Sequence, residues 1–305
     1  MHRLVCRLAL VLAAISVLTI LIVPEHVTSA SPEPLTVHFI DVGQGDSCWL
    51  HLPNGDDVLV DGGRAAAGPT VVAYLRQHCV ADIELVVATH GDADHIGGLL
   101  YVLSSMPVDL AWLDSATCTT DTCLEFYEAL ATQGVVTATV RMGETYAWGD
   151  VAGLVLNPSE PPYADKNENS VVLRISYGSL DFLFTGDAET GAEGRMLASG
   201  LPLDSEILKL AHHGSDSSSS PGFLAAVAPK EAVICVGENR YGHPSAEVLQ
   251  RLAHVGARTW RTDELGTVVV TSGGTAYTIM PTARTPMPTA CSKVFLPVVI
   301  VDVAQ

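Results

Sequence analysis

Basic side chains are the scarcest chemistry in this chain. Sixteen Lys and Arg stand against 34 Asp and Glu in 305 residues, a formal net charge of −18. So few cations to neutralise phosphates argue against tight, passive binding of long nucleic acid. Arg174, Arg240, Arg258 and Arg261 are scattered and mark no basic patch. No separate nucleic-acid-binding domain and no internal repeat are visible. The cysteines include no four-residue set with zinc-knuckle spacing, which removes that kind of structural metal site. Cys48 and Cys235 lie in apolar runs and read as buried thiols, whereas Cys118 and Cys123 flank a short polar segment suited to a disulfide in an exported protein.

Long apolar runs are absent after the start of the chain, so at most one segment can span a membrane and a multi-span channel is excluded. His2, Arg3 and Arg7 precede an apolar core over residues 8–23, and Thr28-Ser29-Ala30 offers a cleavage point before Ser31. This is the pattern of a secretory signal. The core is short for a span, which needs about 20 apolar residues. Residues 1–30 are therefore expected to be a signal peptide or, alternatively, an uncleaved N-terminal membrane anchor. The protein is expected to be secreted or extracytoplasmic, and the acidic balance suits that setting. Residues 31–281 suffice for one sizeable core. Residues 282–305 form a Pro/Thr-rich linker and an apolar tail, read as an added strand or a surface-attachment segment.

Within the core segment, residues 36–42 alternate as a strand, 43–46 turn, and 47–52 and 57–60 read as two more strands. Residues 69–78 are helical and lead into a strand at 84–88. A helix from Ile96, a strand at 108–113 and a helix at 124–132 follow. Strands at 151–156, 171–177 and 181–184 precede a helix at 189–199. Strands at 206–211 and 232–236, a helix from Ser245, and a closing hairpin at 267–279 complete the pattern. Strands lead, helices intervene and strands return in both halves. The expected fold class is α/β, a four-layer αβ/βα sandwich.

The most informative run is Thr89-His90-Gly91-Asp92-Ala93-Asp94-His95, directly after the apolar stretch Leu85-Val86-Val87-Ala88. Two imidazoles and two carboxylates crowded at the end of a buried strand are costly unless a cation holds them. Imidazole and carboxylate both suit zinc, manganese or iron. Asp187 follows the apolar strand Phe182-Leu183-Phe184 and is placed to bridge two metals. Of His212 and His213, one is expected to be a ligand and the other to hydrogen-bond a ligand or substrate. His243 adds a histidine before a helix. Two ions sharing a carboxylate can activate a water and polarise a phosphoryl or acyl oxygen. Asp94 and His213 join Lys209 and His243 as candidates for direct catalytic roles. His243 or Lys209 stabilises the developing anion, unless Lys209 snorkels from a strand end. Asp61 is expected to orient a ligand histidine. Asn167 and Asn169 either orient the site or serve as turn residues. His38, His51, His78 and His254 are read as structural or exposed.

These motifs, taken in order, resemble the metallo-β-lactamase superfamily, and within it the soluble hydrolase domain of ComEC-type DNA-uptake proteins. The likeness rests on Phe39 to Ser47, Val60-Asp61-Gly62-Gly63, Thr89 to Gly98, Asn167 to Ser170, Thr185-Gly186-Asp187, Lys209 to Ser215 and Tyr241 to Ser245. It covers about residues 35–280. The chain departs from the superfamily where Asp92 replaces a second histidine and where no histidine stands near Asn169. The resemblance implies a metallo-β-lactamase-like fold and two divalent metal ions, zinc or manganese. It implies that His90 and Asp92 hold one metal, Asp94 and His95 the other, with Asp187 bridging and His212 completing the set; His213 is the alternative to His212. The implied reaction is phosphodiester hydrolysis, DNA among the substrates, without tight nucleic-acid binding. No protein partner is implied. The alternatives are hydrolysis of a small lactone, lactam, ester or thioester, and a binding or structural protein with a degraded site.

Overall fold

In the computed structural model, residues 33–282 are described. Residues 1–30 and most of the 282–305 segment lie outside the described residues, so the leader and tail readings are not addressed. No helix among the described residues is long and apolar enough to cross a membrane.

Fifteen strands form two sheets among the described residues. The first takes β1 (Leu35–Phe39), β2 (Cys48–His51), β3 (Asp57–Val60), β4 (Ile83–Val87), β5 (Val108–Leu113) and β6 (Val136–Thr139). The second takes β7 (Thr145–Trp148), β8 (Val151–Asn157), β9 (Val172–Tyr177), β10 (Leu180–Phe184), β11 (Ile207–Lys209), β12 (Glu231–Ile234) and β13 (Arg258–Arg261). The chain then returns to the first sheet with β14 (Val268–Ser272) and β15 (Tyr277–Pro281). The order is β15-β14-β1-β2-β3-β4-β5-β6 in one sheet and β13-β12-β11-β10-β9-β8-β7 in the other.

Among the described residues, eight α-helices accompany them: α1 (Gly68–Gln77), α2 (Ala93–Ile96), α3 (Leu99–Ser105), α4 (Asp121–Gln133), α5 (Thr190–Ser199), α6 (Pro221–Val227), α7 (Ala246–His254) and α8 (Thr262–Leu265). Their starts are chemically marked. Thr120, Ser220 and Ser245 each accept a hydrogen bond from a first-turn N–H of α4, α6 and α7.

Side-chain alternation sorts the core into three apolar layers. Phe39, Leu50, Val60, Val87, Phe182 and Phe184 meet between the sheets. Trp49, Leu59 and Val86 point outward to α1, α3 and α4, and Leu183, Leu208 and Ile234 point outward to α5, α6 and α7. This is the four-layer sandwich expected from the pattern. The hairpin signals and most boundaries hold. β6, β7 and β13 were not anticipated; all three are short edge strands. Residues 210–211 continue as a turn rather than as strand.

Topology gathers the chemistry at one edge. β3 through β6 pair parallel, as do β10 through β13. Helical crossovers return each chain to the same side, so the carboxyl ends of the parallel strands share an edge, where ligands of open α/β sheets collect. Asp61, the His90–His95 run, Asp187, His212 and His213 all follow such ends.

Candidate metal centre

Asp187 is the hub. It is 3% exposed, and its Oδ2 lies 3.3 Å from His95 Nε2, 3.7 Å from His213 Nε2, 3.8 Å from His212 Nε2 and 4.0 Å from His90 Nε2. Its backbone N–H donates to Ser170 Oγ. Among the described residues, three sets of side chains bring ligand atoms within 4.8 Å of one another: His90, His95 and Asp187; Asp46, Asp187 and His213; and Asp46, Asp61 and His95.

The donors are oriented from behind. Asp61, fully buried, accepts from Thr89 N at 2.9 Å, Thr89 Oγ1 at 2.7 Å and His95 Nδ1 at 2.8 Å. His213 Nδ1 donates to the Cys235 carbonyl at 2.8 Å, and His212 Nδ1 pairs with Glu189 at 2.8 Å. Each bond leaves Nε2 as the free ring nitrogen, the arrangement that outer carboxylates and carbonyls impose on ligand histidines. Asp61, His212 and His213 sit at φ of 59°, 48° and 52°, half of the six non-glycine residues with positive φ among those described. Such strain persists only where the surroundings enforce it.

Five buried polar atoms converge here without a hydrogen-bond partner: Asp46 Oδ1, His90 Nε2, His95 Nε2, Asp187 Oδ1 and His213 Nε2. Leaving a buried polar atom unsatisfied costs about 1–3 kcal/mol. Their mixed imidazole and carboxylate chemistry fits a divalent cation such as zinc or manganese. Burial and neighbouring Lys209 and His95 push His213 down to about 3, so it is neutral and able to act as a ligand. Burial works to lower His95 as well, but Asp187 and Asp61 outweigh it and hold the imidazole above its usual value. Metal binding there requires the neutral imidazole.

Asp92 and Asp94 occupy the rim. Asp92 lies 3.6 Å from His90 Nε2 and pairs with Lys166; Asp94 lies 3.8 Å from His213 Nε2 and 3.9 Å from Arg64. The tight sets thus join His90 to His95 and Asp187, and Asp94 approaches His213 rather than His95. His213 belongs to a tight set with Asp46, while His212, 23% exposed, borders the open side.

Lys209 neither snorkels nor faces the opening. It shares the inward face of β11 with Ile207, is 2% exposed, pairs with Asp46 and donates to the Gly186 carbonyl at 3.0 Å. Burial pushes its ammonium down to about 7, opposed by the neighbouring Cys235. His243 stands 5.5 Å from the His212 ring with Nδ1 buried and unpartnered; burial and His212 lower its pKa. Asn169 clamps Tyr163 and Asp165 through its amide, which is the turn role.

Sequence reasoning passed over Asp46, Ser170, Glu189 and Lys166 as site residues. Asp46 reads locally as the end of a glycine turn. A Cβ on Gly45, at φ +143°, would collide with the Asp94 carbonyl, so this turn packs directly on the metal-binding run. Gly98 is equally constrained against the Gly62 carbonyl. Cys118 and Cys123 form a disulfide, and Cys48 and Cys235 are free and buried.

The family description "Metallo-beta-lactamase superfamily" matches residues 40–238. ComE operon protein 3 of Bacillus subtilis (strain 168) is 30% identical over 250 residues, 76% of this chain and 32% of that protein. Competence protein ComA of Neisseria gonorrhoeae is 34% identical over 229 residues, 74% of this chain and 30% of that protein. The chain spans about a third of the length of these relatives. Among solved structures, the metallo-beta-lactamase fold protein YhfI from Bacillus subtilis has a TM-score of 0.54 at 13% identity, covering 79% of this chain and 100% of that one. At that identity the likeness speaks for the fold alone.

Proposed function

This chain belongs to the metallo-β-lactamase superfamily, and from that premise we propose that it is an exported, metal-dependent phosphodiesterase or nuclease. The observation that carries the reading is the convergence of five buried, unpartnered ligand atoms on Asp187 and Asp46. His90, His95 and Asp187 would hold one divalent ion, and Asp46, Asp187 and His213 would hold the second. Asp92, Asp94 and His212 border the pair. Bound there, such ions would supply an activated water and polarise a phosphoryl oxygen.

The chain's own groups do the rest. Asp61, Glu189 and the Cys235 carbonyl fix three imidazoles, and Lys209 fixes Asp46. Asp94 Oδ2 is the proton acceptor on the open side. His243, kept neutral by burial and His212, offers a hydrogen bond to the developing anion. Likeness to a competence protein and to a ComE operon protein supports a phosphodiester substrate, DNA among them. The acidic balance favours short or transiently held strands. Export is supported by the leader pattern and by the Cys118–Cys123 disulfide, since such bonds persist in oxidising compartments.

The test is hydrolysis by the zinc- and manganese-reconstituted chain of single-stranded DNA and a small phosphodiester, against a lactone, a lactam and a thioester. Metal-dependent cleavage confined to the phosphodiesters is expected. Turnover of the neutral acyl substrates instead would assign the site to acyl chemistry.

A further inference from the structure

Cysteine arithmetic leaves one pair open. The chain has seven cysteines. Cys118 bonds Cys123, and Cys48 and Cys235 are free thiols buried between the sheets. Cys79 is disulfide-bonded too, and no described cysteine is left to partner it. Its partner is therefore Cys6 or Cys291, both outside the described residues. Cys6 goes with the leader when residues 1–30 are cleaved, which leaves Cys291.

Cys79 follows the last turn of α1 at φ 67°, a position that Gly or Asn usually fills. It is half-buried. His78 before it packs its ring 5.2 Å from that of His38 on β1, and His38 pairs in register with Val269 on β14. Val268 and Val270 point between the sheets, so Val269 points outward. It is 3% exposed, yet it belongs to neither outer apolar layer. An apolar side chain on the outer face of a sheet is buried only under a cover.

The chain leaves β15 at a fixed point, where Thr282 N donates to Thr267 O at 2.8 Å. β15 lies beside β14, and its Met280 pairs with Val269. From there to the far end of β1 is two strand spacings across, about 10 Å, and one strand length along, about 16 Å. The nine residue steps from Thr282 to Cys291 reach up to about 30 Å. Pro286 and Pro288 favour an extended path.

We propose that residues 283–291 cross the outer face of β14 and β1 over Val269, and that a Cys79–Cys291 disulfide staples them to the end of α1. This rests on the export reading above, since the bond forms by exchange with a disulfide of an oxidising compartment. One thiolate opens that disulfide, the second resolves the mixed disulfide, and two electrons and two protons leave on the released dithiol. Cys79 precedes β4, at the sheet edge opposite the carboxyl ends that carry the metal centre. Residues 292–305 therefore depart on the side away from the site. Attachment through that apolar segment leaves the metal centre facing the medium.

The experiment is peptide mapping by mass spectrometry of the full chain secreted into an oxidising compartment, alkylated before and after reduction. The expected map joins Cys79 to Cys291 and Cys118 to Cys123, with Cys48 and Cys235 as thiols. Trypsin cleavage after Arg284 and Lys293 should leave the intervening peptide on the domain until reductant is added, and should release it at once from Cys291→Ser. Deuterium exchange is the second readout: in Cys291→Ser, exchange along β14, β15 and the last turn of α1 should speed up by about tenfold or more. Cys79 alkylated as a thiol, Cys79 joined to Cys6 or any other cysteine, or unchanged exchange in Cys291→Ser overturns the proposal. Cys79 free beside an intact Cys118–Cys123 bond overturns the staple alone; both pairs reduced overturns the export reading with it.

Discussion

Replacing Asp61 with Asn removes one oxygen acceptor at a position whose contacts are fully accounted for. Oδ1 takes Thr89 N; Oδ2 takes both Thr89 Oγ1 and His95 Nδ1, at 2.7 and 2.8 Å. An asparagine oxygen can keep Thr89 N, and the Thr89 hydroxyl can turn to accept from the new amide. His95 cannot adapt without cost. Either Nδ1–H faces an N–H, or the tautomer switches and Nε2 carries the proton and ceases to be a donor to metal. The loss is one buried charge-assisted hydrogen bond, about 1.5–3 kcal/mol. At 1.4 kcal/mol per tenfold this weakens metal binding by about 10–100-fold, the range found when outer partners of ligand histidines are lost. Asn tolerates the φ of 59° at this position, so the fold should survive. Chelator competition at fixed pH measures the affinity, and circular dichroism checks the fold. A folded Asp61→Asn chain with affinity within twofold of wild type would refute the claim that Asp61 orients a metal ligand.

Three further outcomes are expected. Phe39 is fully buried and stacks on Phe184 across the sheets at 6.1 Å; Phe39→Ala should cost about 3–5 kcal/mol and lower Tm by about 6–20 °C in calorimetry. Gly45→Ala should weaken metal binding more than it lowers helix and strand content, because the new Cβ meets the Asp94 carbonyl. Glu231 accepts from Arg258, Trp260 and Tyr277; burial raises its pKa, but these donors win and hold it below the usual 4.5. A depressed carboxylate contributes stability that is present above pH 4.5 and lost as pH falls below it. Glu231→Gln should therefore flatten the acid limb of the stability profile, and an identical limb would show that the cluster carries no such linkage.

The sandwich was legible because buried strands advertise themselves. Leu85-Val86-Val87-Ala88 and Phe182-Leu183-Phe184 are continuous apolar runs, and the metal-binding residues follow them directly. β6, β7 and β13 lie at sheet edges, bury little and so carry weak patterns. Asp187 and the His90–His95 run were visible for the same reason of position. Asp46 was not, since its burial depends on Lys209 and on the packing of Gly45 against Asp94, contacts between segments far apart in the chain. Lys209 needed the register of β11: sharing a face with Ile207 sends it inward, a parity that the sequence leaves open at a strand end. Lys166 lies in a polar loop with no periodicity, and only the fold brings it to Asp92.

The central claim is that the Asp187 cluster is a metal centre, and anomalous diffraction from crystals grown with manganese or zinc tests it directly. The account predicts two peaks, one bounded by His90, His95 and Asp187 and one by Asp46, Asp187 and His213, with both lost in Asp187→Asn. Metal-saturated crystals with no peak at these side chains would contradict it.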